Sequence, residues 1–188
     1  MPDLTLPGIV PRASCPQAVF SPCATCGTTA LCGPHGHQSY RYSLQWPTGV
    51  DADTFALFVL ANPSKATAEE ADPTIRRCIG YARRWGYGWA LIGNARAWRE
   101  TDPDLVPPDP KAIGPYNDDC LRHLLGFSGI VVCGWGKLGG ARGPEVLRLI
   151  RAAGKVPHAL QLNKDGSPAH PLYLRGDLVP VAMGGAHD

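Results

Sequence analysis

The chain has no apolar run approaching the roughly 18 residues that a helical membrane span needs. Its first residues, MPDLTLPGIVPRAS, lack the charged start and apolar stretch of a secretory leader. A cytoplasmic location is the resulting expectation, and the seven cysteines then read as thiols or metal ligands rather than disulfides. An excess of one charge is also missing. A net charge of +2 neither demands nor excludes a nucleic-acid partner, because a local basic face suffices. Neither G-x-x-x-x-G-K-[ST] nor G-x-G-x-x-G follows an apolar run, so a glycine-built phosphate cradle is not expected. The absence of H-E-x-x-H and H-x-E…C-x-x-C patterns argues against a zinc protease or zinc deaminase. Ser64 stands outside any G-x-S-x-G setting, which argues against a nucleophile elbow.

What the chain does have is 188 residues, 44% apolar and 18% charged, which suits one domain with a sizeable core. Residues 1–18 read as a Pro-rich lead-in, 19–40 as a Cys/His-rich zinc knuckle, 41–180 as the main domain and 181–188 as a tail. Four apolar runs predict strands: Phe55–Ala61, Trp89–Asn94, Ile130–Gly134 and His158–Leu162. Helical patterns separate them. One follows Asp72, a capping residue with Pro73 at the first helical position, and ends near Gly86. The others span about residues 114–126 and 143–153. The alternation predicts an α/β three-layer αβα sandwich around a four-stranded, mainly parallel sheet, with the Cys/His-rich segment as an N-terminal insertion.

In such sheets ligands bind beyond the carboxyl ends of the strands. There the sequence places Asn62-Pro63-Ser64, then Asn94 followed by Arg96 and Trp98, then Trp135-Gly136-Lys137, and finally Asn163-Lys164 and a loop carrying His170. This is an amide-rich crevice with one histidine. An asparagine matches a donor–acceptor pair on a base edge. It can also hold a water, though it cannot deprotonate it. That suffices for cleaving an N-glycosidic bond through an oxocarbenium-like sugar, where the costly event is negative charge building on the departing base. His170 could donate a hydrogen bond to that charge, as an oxyanion hole does.

Arg76, Arg77, Arg83 and Arg84 form a basic stripe on the first helix, with Tyr81, Trp85, Tyr87 and Trp89 nearby. Such interleaving suits phosphate contacts plus base stacking. A solvated helix face with core aromatics fits the same residues. Likewise Asn62 before Pro63 is a common turn starter, a histidine before proline is often structural, and Trp135 reads as core packing.

The ordered segments LANPS (60–64), ALIGN (90–94), IVVCGWGK (130–137) and AHPLYL (169–174) resemble the uracil-DNA glycosylase superfamily. From Tyr40 to Leu174 the chain also resembles an uncharacterised bacterial and phage family, through ADPTIRRCIGYARRWGYG (71–88) and GPYNDD (114–119). The glycosylase resemblance implies a uracil-DNA glycosylase-like fold. It implies Asn62 and His170 as catalytic residues, holding the water and stabilising the leaving base. Asn94, Ser64 and Pro63 would bind the base. DNA contacts would come from Arg76, Arg77, Arg83, Arg84, Lys65 and Lys137, with Pro171, Leu172 and Tyr173 pressing on the strand. The sequence departs from the superfamily in Ser64 after Asn62-Pro63, and in a His-Pro-Leu-Tyr loop without serines. The implied activity is excision of a non-canonical or modified base, a hypermodified pyrimidine of phage DNA among the candidates, with antiviral defence as the consequent role. Hydrolysis or deoxyribosyl transfer on free nucleosides, and a module that binds a modified base without cutting, are the competing readings.

Cys23, Cys26, Cys32 and either His35 or His37 have the spacing of a structural zinc site, C-x2-C-x5-C-x2-H-x-H. A four-cysteine iron–sulfur cluster using Cys15, or no metal, are the alternatives. Cys78, Cys120 and Cys133 read as core thiols. Metal analysis of the purified chain should find about one zinc per molecule, lost in the Cys23→Ser, Cys26→Ser variant; equal metal content in both would end the zinc assignment.

Overall fold

The computed structural model describes residues 19–22, 29–32, 40–64 and 70–184. Its strands are β1 (Val19–Pro22), β2 (Thr29–Cys32), β3 (Arg41–Pro47), β4 (Phe55–Leu60), β5 (Trp89–Asn94), β6 (Ile130–Cys133), β7 (Pro157–Ala159) and β8 (Val181–Ala182). Its helices are α1 (Pro73–Arg84), α2 (Asn117–Phe127) and α3 (Arg142–Ala152). The strands form one sheet in the order β1-β2-β3-β5-β4-β6-β7-β8.

Strands stand at all four expected places and run parallel as the block β5-β4-β6-β7, but the fourth, expected over His158–Leu162, is confined to Pro157–Ala159. The expectation of a four-stranded sheet is nevertheless too small. Antiparallel β3 pairs with β5 and extends the sheet through β2 to β1, while β8 pairs antiparallel with β7. The sheet is therefore mixed. β3 escapes a search for solid apolar runs because it alternates, burying Tyr42 and Leu44 between polar residues. The sheet also reaches beyond the segment read as the main domain. Segments 19–22 and 29–32 belong to the sheet rather than to a separate knuckle, and Val181–Ala182 is an edge strand rather than tail. Cys23, Cys26, His35 and His37 lie outside the described residues, as does Lys65. Among the described residues no cluster of three or more His, Cys, Asp or Glu could hold a metal. No helix among them is long and apolar enough to cross a membrane.

Helices cover both faces. Phe55, Leu57, Val59 and Ala61 pack with Leu121 and Leu125 of α2 and Val146 and Ile150 of α3. Ala56, Phe58 and Leu60 alternate to the other face and meet Ile75, Cys78, Tyr81 and Ala82 of α1. Every residue of β4 is buried, which is why it is a continuous apolar run. α1 starts as expected: Asp72 Oδ1 accepts from the Ile75 N–H at 2.8 Å, and Pro73 needs no partner at the first position. Gly86, at φ +82°, turns the chain after it. The aromatics near the basic stripe are core residues. Trp85 stacks on Phe58 and Tyr81 with ring centroids 5.8 and 5.4 Å away, and the Tyr81 hydroxyl donates to the Arg175 carbonyl at 2.5 Å. Cys78, Cys120 and Cys133 are buried, and burial pushes the thiols of Cys78 and Cys133 well above the usual range.

The loop carrying His170 is seated by a close approach at Gly134, just past β6. A Cβ there would lie 2.7 Å from Pro171 Cδ and 3.2 Å from Leu60 Cδ2. Gly134→Ala should therefore lower stability by about 1–3 kcal/mol and shift the His170 imidazole NMR signals. Urea unfolding checks the first, and an unchanged midpoint with unchanged His170 shifts would refute the packing.

Candidate functional site

The parallel strands end nearly flush, with Leu60 beside Asn94 and Val59 beside Cys133. Backbone bonds carry the register past the strand ends: Ala95 N–H to Leu60 O at 2.7 Å, Arg96 N–H to Ala61 O at 2.9 Å, and Gly134 N–H to Val59 O at 2.8 Å. The loops that follow are thus fixed at their roots.

Asn62 is half-buried at the centre of this edge. Its Nδ2 donates to the Glu100 carbonyl at 2.7 Å and to the Pro63 carbonyl at 3.3 Å, while Glu100 N–H donates back to Pro63 O at 3.0 Å. The amide therefore ties the loop after β5 to the end of β4. Its Oδ1 accepts no hydrogen bond among the described residues and has the lone pairs to take one from a water or a ligand donor.

On the α1 side stand Ser64, Asp72 and His170. The Ser64 hydroxyl donates to Asp72 Oδ2, so this side chain can only accept from a ligand while that bond holds. Asp72 holds Ser64 with one oxygen and caps α1 with the other, a dual role that its reading as a helix cap did not include. His170 precedes the turn Pro171–Tyr173, which packs on α1. Burial pushes the His170 pKa below its ordinary 6.5, and the Asp72 charge opposes that shift without reversing it. The imidazole is consequently neutral near pH 7. Its Nδ1 is buried with no partner among the described residues. Pro171 is buried, Leu172 is half-buried, and Tyr173 is 82% exposed with its ring 5.8 Å from that of His170.

Asn94 is only 2% exposed, and its Nδ2 has no partner among the described residues. The buried Asn117 donates Nδ2 to the carbonyls of Asn94 and Ala95, each at 3.0 Å, and Arg142 Nε donates to Ala95 O at 2.9 Å. The asparagine of GPYNDD thus clamps the end of β5. Asn94 itself lies in the interior and does not line the open space at this edge. Trp135 is buried, as its core reading requires.

That open space is a cavity of about 220 Å3 beside Asn62. Ala61 and Asn62 contribute to its lining together with Arg96, Leu138 and the loop of Pro103 and Val106–Asp109. Arg96 grips Asp109 with Nε and Nη2, both at 2.8 Å, and Nη1 donates to the Leu138 carbonyl at 2.7 Å. Sequence reading missed this chamber because loop 99–113 has no hydrophobic period. The one signal is its density of prolines, at 103, 107, 108 and 110.

The basic stripe does not follow the site. Arg83 Nε donates to Thr48 O at 2.5 Å, and Thr48 follows the end of β3, which pairs beside the start of β5. Arg83 and Arg84 therefore sit at the amino end of the parallel block, roughly 15 Å along α1 from its N-terminus. Arg77 lies against Gly176, where a Cβ would come 3.1 Å from its guanidinium. Arg76, at the site end of α1, donates Nη1 to the Ala71 carbonyl. Lys137 is exposed.

The fold and site define an α/β protein with its polar groups at the carboxyl edge of a parallel block. A model for the family described as a protein of unknown function, DUF1643, matches residues 41–172, and the chain belongs to that family. The match takes in Asn62, the cavity and His170, and starts after the cysteine-rich segment. No curated protein and no solved structure matches the chain.

A histidine with a depressed native pKa binds fewer protons folded than unfolded. It therefore contributes stability above about pH 6.5 that is lost as the pH falls through the folded value. His170→Asn should lose less stability than the parent between about pH 7.5 and about pH 5, read by urea unfolding. Asp72→Asn should lower the His170 pKa further in an NMR titration; a rise would reverse the assigned electrostatics.

Proposed function

We propose that the chain is a monofunctional DNA glycosylase with a uracil-DNA glycosylase-like fold, excising a modified base, most naturally a pyrimidine. The observation that carries this reading is the pairing of the Asn62 amide with a neutral, half-buried His170 at the ends of one parallel block, where Asn62 Oδ1 and His170 Nδ1 have no partner among the described residues. A strong base is not needed if the leaving group departs first. The C1′–N bond breaks with its electron pair passing to the base, a hydrogen bond from His170 stabilises that charge, and the water held by Asn62 adds to C1′ and releases a proton. The extruded base would enter from the Tyr173 side.

One observation favours an enzyme on free nucleosides instead. Arg83 and Arg84 lie at the far end of α1, so phosphate contacts near the site would fall to Arg76 and Lys137. Steep salt dependence of DNA binding supports the glycosylase, and its absence supports the small-molecule reading. Mass spectrometry of bases released from a panel of modified DNAs, with alkaline cleavage at the abasic sites, tests the reaction. His170→Ala should lower release about 100- to 1,000-fold and Asn62→Ala at least about tenfold, both with DNA affinity largely retained. Undiminished release by both variants would overturn the mechanism.

A further inference from the structure

The cavity beside Asn62 is smaller than the roughly 300–1,000 Å3 of pockets that enclose drug-sized ligands. At about 220 Å3 it has room for a single ring or a substituent rather than a whole nucleotide. Its walls also restrict the chemistry. The prolines of the 103–108 loop have no N–H to donate, and their fixed φ keeps the wall from adapting freely. Val106 and Leu138 add apolar surface. Side-chain hydrogen bonding into the space therefore falls to Asn62 and the Arg96–Asp109 pair.

Arg96 spends three of its five N–H groups, two on Asp109 and one on the Leu138 carbonyl, and keeps two. Asp109, each oxygen of which accepts one of those bonds, keeps further lone pairs. The pair carries no net charge. An anionic group entering here would face the Asp109 carboxylate, and a cationic one the Arg96 guanidinium. The other charged residues on these loops balance in sign: Arg99 and Glu100 are half-buried, and Asp102, Asp104, Lys111 and Lys137 are exposed. A hydroxyl, donor and acceptor on one atom, can take an N–H from Arg96 while giving its hydrogen to Asp109 or Asn62 Oδ1.

We infer that this cavity is a chamber for a neutral, hydroxylated substituent carried on the target base, with the Arg96–Asp109 pair as its reader. The inference deepens the glycosylase reading and rests on it for the identity of the substrate. The target is then a base bearing a hydroxymethyl group or a larger hydroxylated group, and an unmodified or carboxylated base is a poor ligand.

The test uses the full chain and DNA duplexes identical except for one cytosine: unmodified, or bearing at C5 a hydroxymethyl, a glucosylated hydroxymethyl or a carboxyl group. Base release is read by mass spectrometry and binding by fluorescence anisotropy. At least about tenfold preference for a hydroxylated base over both the unmodified and the carboxylated base is expected. Val106→Trp, which fills the chamber, and Asp109→Asn, which alters the reader, should each erase it, with circular dichroism confirming that the variants fold. Release without such selectivity, or selectivity that survives in both variants, overturns the chamber and leaves the glycosylase standing. Selective binding erased by the variants, with no base released from any duplex, upholds the chamber and overturns the glycosylase. Neither selective binding nor selective release overturns the chamber outright.

Discussion

Everything in this molecule depends on β4 being enclosed. All six of its residues are buried, helices cover both its faces, and parallel neighbours flank it on each side. Burying a side chain such as Leu57 or Phe58 contributes about 1.5–3 kcal/mol, so this strand has little freedom to move. An enclosed strand can show a ligand only its end. Asn62 stands two residues past that end, which references it closely to the core.

A strand end is also where backbone groups lose their ladder partners, and buried ones must be paired. Many of the polar residues that look chemical in the sequence meet this need. Asn117 and Arg142 serve the carbonyls at the end of β5, Asn62 serves the carbonyl of Glu100, and Asp72 serves the first turn of α1. The structural and chemical readings of Asn62 are therefore not rivals. Committing Nδ2 to the loop is what aims Oδ1. The same holds for Asp72, whose two oxygens are divided between the helix and Ser64.

How far the sequence made this legible varied with the kind of signal. The first three parallel strands were readable because double burial leaves solid apolar runs, and α1 because Asp72-Pro73 and Gly86 mark its ends by local chemistry; β7, three residues with His158 at its centre, was placed only approximately. β3 was not readable, since an alternating strand mixes polar residues into its pattern, and β8 was not, since two residues carry no period. The cavity wall was invisible because irregular, proline-rich chain is placed by its tethers, here Glu100 to Pro63 and Arg96 to Asp109, and not by periodicity. The direction of the basic stripe was not legible, because spacing on a helix says nothing about which end meets the sheet's carboxyl edge; Arg76 lies at that end and Arg83 at the other.

The electrostatic character of the edge follows from these placements. Asn62 is uncharged, His170 is held neutral by its burial, and Arg96 is matched by Asp109. The exception is Asp72, which is occupied by Ser64 and the α1 N-terminus, where a negative charge is favoured. A site with so little unpaired charge gains little from long-range attraction and discriminates by shape and by hydrogen bonds that must all be satisfied at once. If the ligand is the DNA of the proposed function, attraction for its phosphates has to come from the rim, where Arg76 and Lys137 are exposed. On the proposed glycosylase reading, affinity and selectivity fall to different residues, the rim facing the phosphates and the neutral interior facing the base.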